Sequence, residues 1–211
     1  MNGLTLDDVK ITLNGKALLA ISAHVGKGEV LTVMGPSGSG KSTLLAYIGG
    51  FLDPVFQASG KVLADDVDLT VLPPERRHTG ILFQDPLLFP HLSVGGNLMF
   101  ALSEKVIGRA ERRKRCETAL ADKGLPDFFD RDPDTLSGGQ KARVALARVL
   151  LSEPRALLLD EPFSKLDFGL RSQVRQLVFE RAKQSGLPVI MVTHDPSDAD
   201  AAGGEIYRIE R

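Results

Sequence analysis

At 211 residues, 43% of them hydrophobic and 25% charged, the chain has an ordinary globular composition and length for one good core, or one core with an inserted subdomain. Lys and Arg number 26 against 27 Asp and Glu, a formal charge of -1 that lacks the basic excess of a nucleic-acid binder, and the single Cys116 excludes an internal disulfide and fits a reducing compartment. Residues 1–8 lack the basic and apolar regions of a secretory signal, and no apolar stretch approaches the roughly 18 residues of a membrane span, so the expectation is a cytosolic protein unless a partner holds it at a membrane.

Residues 4–34 alternate apolar and polar side chains around turn signals at Asn14-Gly15 and Gly26-Lys27-Gly28, which predicts short, partly antiparallel strands. They lead into the apolar run Glu29-Val30-Leu31-Thr32-Val33-Met34, a predicted buried strand. Next comes Gly35-Pro36-Ser37-Gly38-Ser39-Gly40-Lys41-Ser42, then the helical text Thr43-Leu44-Leu45-Ala46-Tyr47-Ile48, closed by Gly49-Gly50. A glycine-rich turn can spell G-x-x-x-x-G-K-S by chance. With a strand before and a helix after, it reads as a phosphate cradle: the glycines let backbone N–H groups curl inward, and the helix start adds partial positive charge. Lys41 is the residue to reach β- and γ-phosphates, and the Ser42 hydroxyl to take a position on Mg2+.

A further strand is predicted around Gly60-Lys61-Val62-Leu63, followed by a loop through Pro73-Pro74. Gly80-Ile81-Leu82-Phe83-Gln84 is apolar and ends on a polar residue, as a strand does where it delivers a side chain to the ligand edge of an α/β sheet. From Asp85 to about Leu136 the text turns to a proline-marked loop and then helices, over 94–102 and 109–123. Arg109, Arg112, Arg113, Lys114 and Arg115 read as a solvated helix face, with Cys116, Ala119 and Leu120 inward. The section reads as a helical insertion between sheet strands.

Leu136-Ser137-Gly138-Gly139-Gln140 then opens an Ala/Leu-rich helix closed near Pro154, with Ser137 at the N-cap. Two glycines at the cap leave its N–H groups open to a ligand; alone, the pentapeptide would read as an ordinary capped helix. The strand Ala156-Leu157-Leu158-Leu159 ends on Asp160-Glu161, and adjacent carboxylates at a buried strand end need a cation or polar ligand. Asp160 faces the Mg2+ shell in this reading, and Glu161 an attacking water. Val189-Ile190-Met191-Val192-Thr193 is a last buried strand, ending on His194 as a γ-phosphate contact. No Asn-Lys-x-Asp guanine-reading sequence is present, and no internal repeat.

This order of cradle, Gln84, Leu136-Ser137-Gly138-Gly139-Gln140, Asp160-Glu161 and His194 resembles the ATP-binding subunits of ABC transporters over nearly the whole chain. The text from Gly80 to Gln84 and from Pro90 to Val94 looks most like bacterial importer ATPases. The resemblance implies an α/β fold: a P-loop NTPase (RecA-like) core with an N-terminal antiparallel β region and an inserted helical subdomain. One domain would span 1–211, with core 1–84 and 137–211 and the insertion at about 85–136. It implies ATP and Mg2+, catalysis by Glu161, His194, Gln84 and Lys41, and metal contacts from Ser42, Gln84 and Asp160. Nucleotide contacts would come from Gly35, Pro36, Ser37, Gly38, Ser39, Gly40, Lys41, Ser42 and Thr43 of one subunit. Ser137, Gly138, Gly139 and Gln140 of a second copy, packed head to tail, would complete the site. It further implies membrane permease subunits contacted from Pro86 to Phe100, a periplasmic or extracellular solute-binding protein engaged indirectly, no nucleic acid, and a place on the inner face of the cell membrane. Ser164-Lys165-Leu166-Asp167 matches the loop that crosses the dimer, and the short stretch after His194 implies no room for a regulatory domain. Two residues depart from the pattern: Leu13 stands where an aromatic residue often stacks on adenine, and Lys165 where a small residue is common. A soluble ABC-type ATPase acting in assembly or regulation, and an exporter ATPase with separate membrane chains, stay open as alternatives. The cargo is not readable.

Overall fold

The structure, a computed structural model, describes residues 3–209; the outermost residues of the expected domain, Met1, Asn2, Glu210 and Arg211, lie outside the described residues. Two compact units divide the chain. The first holds the residues up to Ile81, Pro154–Glu161, and those from Phe179 onward; the second holds Leu82–Glu153 and Pro162–Val178.

In the first unit, β1 (Gly3–Leu13) and β2 (Lys16–Gly26) form an antiparallel hairpin. Asn14 and Gly15 turn it with φ of 50° and 75°, the paired positive values that match the twist of two flanking strands. β3 (Val30–Met34) follows, then α1 (Lys41–Gly49), β4 (Phe56–Ala64), β5 (Val67–Asp68), the one-turn helix α2 (Pro74–Arg77) and β6 (Thr79–Leu82). The antiparallel sheet has the order β2-β1-β4-β5. The second sheet takes β6, β7 (Ala156–Asp160), β8 (Val189–Thr193), β3 and β9 (Glu205–Arg208) in the order β6-β7-β8-β3-β9. β3 runs parallel to β8 and β9, and β7 parallel to β8. All five residues of β3 and of β8 are buried, as continuous apolar runs are when both faces of a parallel sheet are covered. One core joins Leu4, Leu6 and Ile11 of β1, Leu44 and Ile48 of α1, and Leu158, Ile190 and Val192 of the parallel strands.

The second unit contains α3 (Val94–Ala101), α4 (Arg109–Ala121) and α5 (Gly138–Leu151), packed around Leu98, Cys116, Leu120 and Val144. Burial pushes the Cys116 thiol up to about 11, so it is an inert core residue. α6 (Phe168–Gln184) and α7 (Pro196–Ala202) complete the elements. The expected α/β fold is present, with its antiparallel region and its helical section. The second unit also takes in Pro162–Val178.

Two local readings change. Pro73-Pro74 is not only loop, since Pro74 begins α2 at the position where its missing N–H costs nothing. Arg112 leaves the solvated face: its guanidinium donates to the carbonyls of Met99 (2.7 Å), Ser103 (3.1 Å) and Val106 (3.1 Å), closing the end of α3. Arg109, Arg113, Lys114 and Arg115 remain exposed. The same device acts on α1. Arg77 is buried and donates to the carbonyls of Tyr47 (2.7 Å), Ile48 (3.0 Å) and Leu72 (2.9 Å), so the C-terminal carbonyls of α1 are satisfied by a side chain 29 or 30 residues away. Arg77→Ala should lower the unfolding free energy by roughly 2 kcal/mol, because it strands buried acceptors. Arg77→Lys should recover less than half of that, because an ammonium lacks the planar fork. Urea denaturation at pH 7 checks both.

Candidate active site

β3 delivers the chain to its carboxyl end at Met34, and α1 leaves from Lys41. Gly38 and Gly40 between them have φ of 78° and 89°, left-handed values that a residue with a Cβ adopts only under strain. No side chain caps α1, so its first N–H groups are left for another acceptor. Ser39 Oγ is likewise buried without a hydrogen-bond partner. Lys41 is 6% exposed, and its ammonium donates to the carbonyls of Gly35 (2.8 Å) and Pro36 (2.9 Å). Ser42 Oγ donates to Asp160 Oδ1 at 2.8 Å, joining the helix start to the end of β7. Burial raises the Asp160 pKa and the Glu161 carboxylate adds to this, while the Ser42 bond and the Lys41 charge oppose it. A half-buried carboxylate with this balance favours a nearby cation.

Glu161 follows at φ 46°, unusual for a residue with a side chain. Its N–H donates to Val192 O (3.0 Å), and its Oε1 lies 3.1 Å from Nδ1 of His194, the residue after β8. Which atom donates depends on the imidazole tautomer. Thr193 Oγ1 accepts from the Asp195 N–H (3.0 Å) and Asp195 caps α7 through Ser197 N (2.8 Å), which fixes the turn carrying His194. A cavity of about 340 Å³ is lined by Ser37, Gly38, Gly40, Lys41, Ser42, Thr43 and Glu161 together with Leu13, Leu18 and Phe56. Phe56 had no motif to mark it. It enters through strand register, directly opposite Leu13.

The first unit thus gathers the 35–43 turn, Asp160, Glu161 and His194. Gln84 and the Ser137-Gly138-Gly139-Gln140 turn belong to the second unit. Ser137 caps α5 in a full capping box: Gln140 N donates to Ser137 Oγ (3.3 Å), and Ser137 N donates to Gln140 Oε1 (2.9 Å). Gln140 Oε1 thus accepts from the start of its own helix. The two glycines have different reasons. A Cβ at Gly139 would collide with Leu170, whereas one at Gly138 would meet only Leu166, 4.0 Å away, so Gly138 is the open approach. Lys165 Nζ pairs with Asp85 Oδ1 at 2.6 Å, which accounts for a lysine in that loop: it ties residues 164–167 to the loop following Gln84. With side chains 51% and 62% exposed, the pair sets geometry more than stability. Gln84, Gly138 and Lys165 line one small cavity of about 190 Å³.

A family model described as ABC transporter matches residues 18–164. The chain is 47% identical over 199 residues to the uncharacterized ABC transporter ATP-binding protein YnjD of Escherichia coli K12, covering 94% of this chain and 91% of that protein. It is 42% identical over 179 residues to the spermidine/putrescine import ATP-binding protein PotA of Bacillus cereus; the match covers 85% of this chain and about half, 54%, of PotA. Among solved structures, the dimeric post-hydrolysis state of the ATP-binding cassette MJ0796 with ADP and Pi superposes with a TM-score of 0.80 at 31% identity, covering 98% of this chain and 94% of that one.

The raised Asp160 pKa has a consequence for stability. The folded chain keeps this proton to higher pH than the unfolded chain, so the ligand-free fold loses stability as pH rises from about 3.8 through the raised value. Asp160→Asn removes that loss while still accepting from Ser42. At pH 7 the ligand-free variant should melt higher than the parent, and the difference should close as pH falls below about 3.8. Calorimetry across this range checks it, and equal or lower melting of the variant at pH 7 would refute the sign.

Proposed function

The chain belongs to the ABC transporter family as one of its ATP-binding subunits, and on that premise we propose that it hydrolyses ATP with Mg2+ at a site shared by two copies. Closure of the pair would drive a membrane permease in the import direction. The observation that carries the reading is the contact of Glu161 with His194, one residue beyond an Asp160 already bonded to Ser42.

In this proposal the turn from Gly35 to Thr43 holds the phosphates through the backbone N–H groups of its non-proline residues, and Lys41 exchanges the carbonyls of Gly35 and Pro36 for β- and γ-phosphate oxygens. Ser42 and Asp160, with Gln84, hold Mg2+. The fit rests on the hard oxygen donors of Ser42 and Asp160, which already meet, and on a carboxylate whose burial disfavours charge without a cation. Bound Mg2+ supplies neutralisation of phosphate charge. Glu161 orients the attacking water and takes its proton at a carboxylate oxygen, while His194 steadies Glu161 and contacts the γ-phosphate. The partner subunit's Ser137, the partner subunit's Gly138, the partner subunit's Gly139 and the partner subunit's Gln140 close the other side; open space at Gly138 supports that approach.

The segment from Pro86 to Phe100 is the proposed permease contact. Leu87 and Phe100 are 57% and 73% exposed, as apolar side chains kept for a partner are. The fully buried Asn97 holds the segment by donating to the carbonyls of Phe89, Leu92 and Ser93, and Arg148 donates to those of Pro86 and Leu87. No helix among the described residues is long and apolar enough to cross a membrane, so anchorage at the inner face would come through the permease, with a solute-binding protein acting on the far side. Import is supported by the likeness to PotA. The single domain, with its insertion at about 85–136, stays part of this proposal. Glu161→Gln should cut Mg2+-dependent ATP hydrolysis by roughly 100-fold or more while ATP still binds with near-parent affinity. Phosphate release and equilibrium binding measure the two, and hydrolysis near the parent rate would overturn the role of Glu161.

A further inference from the structure

A leucine at position 13 leaves the nucleotide site without the aromatic ring expected at the end of β1. The ring is nevertheless in the cavity, from another strand. Leu13 is the last residue of β1 and pairs with Phe56, the first residue of β4. Directly opposed residues of antiparallel strands project from the same face of a sheet, about 5 Å apart, so one can take over a surface the other would have provided. Both line the cavity of the phosphate turn, and among the described residues Phe56 is the sole aromatic side chain lining it. We infer that Phe56, not Leu13, provides the stacking face for the base of the bound nucleotide. The inference rests on the nucleotide-binding reading and deepens it.

Local hydrogen bonds hold Phe56 in place. Its N–H donates to Asp53 O (3.0 Å), and the preceding Val55 N–H donates to the Asp53 carboxylate (2.9 Å), an Asx turn that sets the direction in which β4 begins. One side of Phe56 packs on the core, and the residue stays half-buried. Leu18 on β2 abuts the turn: its Cβ lies 3.5 Å from where a Cβ on Gly40 would stand. The cavity therefore joins two chemistries, the uncapped N–H groups of the α1 start with the Lys41 ammonium, and an apolar slot of Leu13, Leu18 and Phe56. A nucleotide has the same two parts. A phenyl ring stacks on any base, because every base has a π face, whereas leucine offers only aliphatic packing. None of the three side chains can donate or accept a hydrogen bond, so the slot grips a base without reading its edges.

Equilibrium titration of the full chain with Mg2+ and either ATP or inorganic tripolyphosphate separates the two parts. Phe56→Leu keeps an apolar side chain against the core and removes the π face; Phe56→Tyr keeps both. Thermal melts confirm that each variant folds. The Kd for ATP should rise about tenfold in Phe56→Leu and stay within about twofold in Phe56→Tyr, with tripolyphosphate within about twofold throughout. An unchanged ATP Kd in Phe56→Leu would overturn the inference, as would equal weakening of ATP and tripolyphosphate, which would mean that Phe56 acts through the phosphate turn. A parent chain that binds neither ligand would refute the nucleotide site itself.

Discussion

The hydrogen bond from Ser42 Oγ to Asp160 Oδ1 ties the first turn of α1 to the end of a strand 118 residues further on. Everything else at the site depends on that alignment. Parallel strands bring their carboxyl ends to one edge of a sheet, so β3, β7 and β8 deliver the 35–40 turn, Asp160-Glu161 and His194 to the same place. The bond sets the helix start against this edge and aims its uncapped N–H groups at the same cavity. Arg77 holds the other end of the helix by capping its carbonyls, so α1 is restrained at both ends.

Several groups of the site are held in arrangements that phosphate and a cation would relieve. Lys41 spends its ammonium on two nearby carbonyls, Ser39 Oγ is buried without a partner, and Asp160 carries a carboxylate where burial disfavours its charge. Glu161 sits in left-handed backbone, a conformation costing on the order of 1–3 kcal/mol, held by its bonds to β8 and His194. These costs fall on the residues proposed to meet phosphate, metal and water. Binding would therefore stabilise the fold as well as begin the chemistry.

Much of this was legible in the sequence because its signals are local. Alternation and Asn14-Gly15 marked the hairpin, continuous apolar runs marked β3, β7 and β8, and G-x-x-x-x-G-K-S marked the strand-turn-helix. What escaped depends on contacts between distant residues. No pattern announces that Arg77 or Arg112 will cap a helix across a loop, or that Lys165 will find Asp85 eighty residues away. Phe56 lies in text that reads only as the approach to a strand, and its place opposite Leu13 exists only once β1 and β4 are in register. Gly138 and Gly139 look equivalent in the sequence, and the side chain of Leu170 makes them different.

The central claim is that one copy's phosphate turn is completed by the other's α5 start. Sedimentation velocity of Glu161→Gln with and without MgATP tests it most directly, alongside the same protein carrying Gly138→Asp, which sets a carboxylate in the open space at that helix start. The account predicts that MgATP converts Glu161→Gln from monomer to dimer, and that the Gly138→Asp form binds ATP but stays monomeric. An ATP-bound Glu161→Gln that remains a monomer, or a dimer indifferent to Gly138→Asp, would contradict it.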